Sequence, residues 1–256
     1  MKLEELARRF PYPILLRSRI RKIQRFLSLP QFDIKTLWLP ILLTWIEQRW
    51  KSGEVIYVVI DRSQWRNINL LMVSCVYRRR SIPIYFTILD KKGNSNFSQQ
   101  KQVLSPALEL LKDYKVIVLG DREFCSVDLA RWLSVEQEVY FSLRLRKSEY
   151  VELEPQIWIQ LKDLRLEPGM SVYYQDIKVT KTKGFGGFNL AGKRKRNYRD
   201  LSSAEPWYLL TNLPSLSAAC DAYAQRMGIE EMFRDFKSGG YNLEETRVTG
   251  GATSAL

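Results

Sequence analysis

The sequence predicts an α/β protein built on one mixed sheet, and three observations carry that reading. Two apolar, β-branched runs of strand length, 55–61 (VIYVVID) and 115–120 (KVIVLG), each lead straight into an aspartate. Two more strand-like runs, 68–77 (INLLMVSCVY) and 82–89 (IPIYFTIL), follow the first with only the basic turn RRRS between them. Between those runs and KVIVLG, residues 99–112 carry Val103, Leu104, Leu108 and Leu111 at helical spacing.

Taken in order, residues 1–52 read as a basic helical lead-in, with Arg17, Arg19, Arg21, Lys22 and Arg25 among apolar residues and Pro11, Pro13, Pro30 and Pro40 as breaks. Residues 53–145 hold the first part of the core. The polar stretch 90–98 (DKKGNSNFS) is a loop, and a helix at about 125–134 and a strand at about 138–144 complete the order β-β-β-α-β-α-β. Three antiparallel strands followed by helix-separated strands is the ribonuclease-H-like order, with Asp61 and Asp121 expected at strand ends where the sheet opens to solvent. Residues 146–212 change texture to short strands and turns, including KTKGFGGFNLAGKRKRNYR, and read as a β-rich insertion. Residues 213–240 contain a helix at about 217–238 that returns to the core, and 241–256 form a tail that builds no element.

Composition narrows the chemistry. The 256 residues, 45% of them hydrophobic, suffice for a sizeable core. Forty Lys and Arg against 28 Asp and Glu give a net charge of +12, so an acidic partner is implied, and nucleic acid fits better than a membrane surface because no polybasic amphipathic helix adjoins an apolar anchor. The start MKLEELARRF lacks a signal-peptide core, and 38–46 is too short to span a bilayer, so a cytoplasmic protein, associated with the nucleoid when bound to DNA, is expected. Cys75, Cys125 and Cys220 are scattered without CxxC spacing and read as small buried side chains. With no histidine, Ser-His-Asp and Cys-His catalysis and His-ligated zinc are excluded.

The remaining chemistry rests on carboxylates. Two-metal phosphoryl transfer needs several of them converging on a pair of ions, and Asp61 and Asp121 would meet on adjacent strands. A lone strand-end Asp is more often a turn or cap residue; the pair is the signal. In the final helix, Tyr223, Arg226, Glu230 and Lys237 form Y-x2-R-x3-E-x6-K. On a continuous helix, at about 100° per residue, they share a stripe about 60° wide, while Ile229, Met232, Phe233 and Phe236 gather beside it to pack on the sheet. The plain alternative is a solvated face with an Arg226–Glu230 pair.

These residues, with VIDRS and VLGDREF upstream, resemble the insertion-sequence DDE transposases of the IS-four family over about residues 54–249. The resemblance implies a ribonuclease-H-like core with a β-rich insertion, and a DNA transposase that cuts at transposon ends and transfers the freed strand to target DNA. It implies Asp61, Asp121 and Glu230 as the catalytic and metal-binding triad for two Mg2+ ions, with Mn2+ able to substitute. It also implies Tyr223, Arg226 and Lys237 as contacts to the transposon-end backbone near a flipped base, with Trp207 stacking on that base; core packing is the other use for Trp207. Double-stranded DNA, both ends and target, is the implied partner, bound by a homodimer.

Lys193, Arg194, Lys195, Arg196 and Arg199 form a basic run suited to phosphates without sequence choice, or simply to solvent. Arg122 and Glu123 are candidates for secondary support. Two rival functions stay open: a ribonuclease-H-like nuclease without strand transfer, and a catalytically silent DNA-binding remnant. The second draws on length, since only 60 residues precede Asp61 where the family carries more, and the tail GGATSAL offers no helical segment, so a truncated copy is expected.

Overall fold

The computed structural model describes residues 3–29, 33–180, 185–197 and 205–238. The lead-in forms α1 (Leu3–Arg8), α2 (Leu16–Leu27) and α3 (Leu39–Glu47), the last preceded by a π-helical turn at Ile34–Trp38. Strands β1 (Val55–Trp65), β2 (Ile68–Tyr77) and β3 (Arg80–Ile88) follow, then α4 (Phe97–Leu110), β4 (Lys115–Gly120), α5 (Val127–Arg131) and β5 (Tyr140–Arg144). Next come β6 (Tyr150–Glu154), β7 (Ile157–Gln160), β8 (Ser171–Val179) and β9 (Phe185–Lys193). The chain closes with β10 (Trp207–Thr211), α6 (Leu216–Ala224) and α7 (Met227–Lys237). The expected tail and Arg199 lie outside the described residues.

All ten strands form one sheet in the order β3-β2-β1-β4-β5-β10-β9-β8-β6-β7. β1 runs antiparallel to β2 and parallel to β4, and β4 runs parallel to β5. That is the mixed α/β arrangement of a ribonuclease-H-like core. Strands β9, β8, β6 and β7 extend this sheet through β10, which pairs with both β5 and β9.

Strand alternation sorts the core into two faces. Ile56, Val58 and Ile60 of β1 point to the side packed by Leu42 and Ile46 of α3, Val103, Leu104 and Ala107 of α4, and Leu129 of α5. Val59 points to the other side, where Cys220 and Tyr223 of α6 and Ile229, Met232 and Phe233 of α7 cover the sheet. Buried Phe124, Trp132 and Phe141 are the largest side chains of the first face, each worth roughly 1.5–3 kcal/mol by removal from water. The loop 90–96 ends in Asn96, which caps α4 by accepting from the backbone N–H of Gln99, while the Gln99 side chain accepts from Asn96.

Two expectations need correction. Asp61 does not end its strand: pairing with β2 continues through Trp65↔Ile68, although the parallel ladder with β4 stops at Ile60↔Gly120. A hairpin partner supports five more residues, Asp61 to Trp65, after the parallel neighbour has left. The single helix expected at 217–238 is two helices, broken at Gln225–Arg226. There the N–H groups of Arg226, Gly228 and Ile229 reach carbonyls three residues back instead of four, tightening the chain. Gly228 permits the close packing that follows, because a Cβ there would stand 3.0 Å from the Arg79 carbonyl oxygen.

Candidate active site

Asp61 shares its alternation with Val59 and therefore faces α7, at the level where β4 leaves the sheet. Only 9% of its surface is exposed. Its Oδ1 accepts from the Arg62 N–H at 2.8 Å, and its Oδ2 accepts from Arg226 Nη1 at 3.1 Å. The other terminal nitrogen of Arg226 donates to Glu230, one turn further along α7. One guanidinium thus ties the strand acid to the helix acid. Asp121, the residue after β4, is fixed by accepting from the Glu123 N–H at 2.8 Å.

The electrostatics report the crowding. Burial pushes the Asp61 carboxyl up to about 7; Arg226 opposes this, while Asp121 and Glu230 add to it. For Arg226 the largest influence is burial, which favours loss of its proton. Tyr223, Asp61, Glu230 and Asp121 outweigh it and hold its affinity above the ordinary arginine value. Asp61, Asp121 and Glu230 are brought into one electrostatic neighbourhood, with Arg226 between two of them.

The other expected residues divide. Tyr223 is buried, and its ring meets Trp207 edge-on at 4.9 Å between centroids. Burial raises its phenol above the ordinary range, against the charges of Arg226 and Arg144. Lys195 Nζ stands 5.6 Å from the Trp207 ring, and Trp207 pairs across the strands with Lys193. Lys193, Lys195 and Arg196 are exposed, whereas Arg194 is partly structural, donating to the Leu166 carbonyl at 3.1 Å. Because the helix breaks at 225–226, Tyr223 is not on one straight stripe with Glu230. Lys237 ends α7, seven residues and roughly 10 Å of helix beyond Glu230, and the structure does not bring it to the acids.

A supporting network was not foreseen in full. Arg62 Nε donates to both carboxylate oxygens of Glu123, at 2.8 and 3.0 Å, and its Nη1 donates to Asn69 at 3.0 Å. Ser95 donates to Glu123 from its N–H and its hydroxyl, each at 2.8 Å, and Asn69 holds the 91–93 loop through the carbonyls of Lys91 and Gly93. The residue after Asp61 therefore grips the residue two after Asp121, on the sheet face opposite α7. The signal lay in the repeated Asp-Arg of VIDRS and GDREF. At the sheet's open end, Arg122 pairs with Glu205, which Lys147 and Arg144 also approach, at 3.6 and 3.8 Å.

Three carboxylates make an oxygen donor set of the kind magnesium prefers, and the Asp61 carboxyl is raised first by burial and then by Asp121 and Glu230, so a cation beside it would relieve both. The donor chemistry fits a divalent cation. In this arrangement, however, no group of three acidic, Cys or His side chains among the described residues is gathered around one point, since Arg226 stands between Asp61 and Glu230.

A ribonuclease-H-like sheet with one acid inside its first strand, one just after its fourth and one on a covering helix is an arrangement suited to nucleotidyl transfer. Residues 59–255 match the family model described as the transposase DDE domain, and the chain belongs to that family. Among solved structures, a piggyBac transposase in a synaptic complex with hairpin DNA matches with a TM-score of 0.50 and 13% identity, a likeness of fold. The match covers 93% of this chain and 55% of that chain. Among curated proteins, none matches. No helix among the described residues is long and apolar enough to cross a membrane.

Proposed function

We propose that the chain is a DNA transposase of the IS-four type that cuts at transposon ends and transfers the freed 3′-hydroxyl to target DNA. The observation that carries the reading is the joint grip of Arg226 on Asp61 and Glu230, with Asp121 in the same charged neighbourhood. Asp61, Asp121 and Glu230 are the residues that would hold two Mg2+ ions, with Mn2+ able to replace them. When bound, such ions activate the attacking oxygen and stabilise the leaving one.

The chain's own residues divide the other tasks. Arg226 holds the two acids together, and its release from Asp61 and Glu230 is the change that lets the three carboxylates close on one point. Freed, its guanidinium suits a phosphate oxygen of the transposon end. Tyr223 and Lys237 are assigned to the same backbone and Trp207 to stacking on a flipped base, while Lys193, Arg194, Lys195 and Arg196 neutralise phosphates along the duplex. Synapsis of two ends implies a homodimer on DNA.

The test uses duplexes carrying the sequences on either side of the gene, where the transposase reading expects inverted repeats. Asp61→Asn, Asp121→Asn and Glu230→Gln are each expected to abolish Mg2+-dependent end cleavage and strand joining while retaining duplex binding. Cleavage that persists in these variants removes the assignment, and cleavage without joined product in the parental chain leaves only a nuclease.

A further inference from the structure

The turn between β2 and β3 consists of two residues, Arg78 and Arg79, since Tyr77 pairs directly with Arg80. Both central residues have positive φ, 49° and 64°, and among the described residues they are the only adjacent non-glycine pair that does. A two-residue hairpin turn of this kind demands left-handed backbone at both positions, which Asn-Gly adopts with little strain and which a residue with a long side chain resists. Two arginines hold it here, both exposed.

The turn is braced from two sides. The Arg78 guanidinium lies 5.2 Å from the Tyr77 ring, which meets Trp45 and Trp50 edge-on, and Arg49 covers Trp45 at 4.2 Å. On the other side Arg80 pairs with Glu231 at 3.1 Å and Asp235 at 3.5 Å, both on α7, and the Arg79 carbonyl abuts Gly228. The acids of α7 are thus taken up by Arg80, and no acid among the described residues pairs with Arg78 or Arg79. Met72 stands opposite Asp61, so Tyr77 lies five residues further along β2, roughly 17 Å at about 3.3 Å per residue. That is about half a turn of a duplex whose pitch is roughly 34 Å.

We infer that the Arg78–Arg79 turn is a second DNA contact, presenting two guanidinium groups to the phosphates of a duplex engaged at the acid site. The contact rests on the transposase reading and adds a surface on the β2–β3 hairpin. Its chemistry is phosphate neutralisation, so it contributes affinity and salt dependence without reading sequence.

The experiment compares the parental chain with R78N/R79G and R78K/R79K in duplex-binding titrations across salt concentrations, together with thermal melts. R78N/R79G relieves the backbone, so its Tm is expected to rise by roughly 2–6 °C. Its plot of log affinity against log salt is expected to be shallower by about 1.8, with affinity roughly 10- to 60-fold weaker at about 0.1 M salt. R78K/R79K keeps both charges and is expected to keep the parental slope. A parental slope in R78N/R79G overturns the inference alone, and equal loss in both variants also overturns it, because shape and not charge would then be at stake. A parental chain with no salt-dependent affinity for duplex DNA overturns the transposase reading together with it.

Discussion

Replacing Asp61 with asparagine tests how far the acid site is short of positive charge. The carboxyl titrates near 7 in the fold against an ordinary 3.8, because burial outweighs the help from Arg226 and because Asp121 and Glu230 add their repulsion. Between those two pH values the folded protein keeps a proton that the unfolded chain has lost. Folding stability therefore falls as pH rises through that window, and the deficit is complete above the folded value. A displacement of about three pH units corresponds to an upper bound of about 4 kcal/mol. The asparagine amide cannot ionise, so in metal-free buffer the Asp61→Asn variant should gain on the parental chain by ~2–4 kcal/mol between about pH 4 and about pH 8. Urea denaturation of both proteins at several pH values reads this directly, and the difference between the two curves reports Asp61 together with the groups coupled to it, Arg226, Asp121 and Glu230. Millimolar Mg2+ should erase most of the gap at about pH 8 by stabilising the parental chain alone. A difference that stays flat across that range would refute the reasoning, since Asp61 would then ionise as it does in water.

Glu123→Gln removes a charge from a pair whose side chains are 17% and 10% exposed, leaving the Arg62 guanidinium under-compensated. The expected cost is ~1–3 kcal/mol in chemical denaturation, and metal-dependent cleavage should need more Mg2+ for half-maximal rate because the Asp61 and Asp121 segments lose their tie. Gly120→Ala places a methyl group 2.8 Å from Phe124 Cβ and 3.0 Å from Leu143 Cδ2, contacts that force the backbone beside Asp121 to shift. A loss of ~1–3 kcal/mol is expected, with reduced cleavage; a fully stable and active variant would show that the strand end has room to spare.

Much of the fold was legible because its signals are local. β2 at Ile68–Tyr77 and β4 at Lys115–Gly120 fall at the expected bounds, since continuous β-branched apolar runs bounded by turn residues have one economical conformation. The loop before α4 was readable to within two residues: it ends at Asn96, the helix cap, and not at residue 98. The helix break at Gln225–Arg226 was not, because the apolar periodicity runs through it unchanged. The Arg79 carbonyl that packs on Gly228 lies far away in sequence.

The candidate site divides in the same way. The amino-acid order alone determined the strongly basic balance, the absence of histidine, the two acids that follow apolar runs, and Glu230 on a helix with an apolar face. Those are properties of composition and of short-range periodicity. Only the tertiary structure decided that Arg226 would stand between Asp61 and Glu230, that Arg62 would clasp Glu123 across the β1–β4 pair, and that Lys237 would end away from the acids. Each of those outcomes depends on which side chains meet after strands 60 residues apart are laid together and a helix is folded back over them, and no local pattern encodes that meeting.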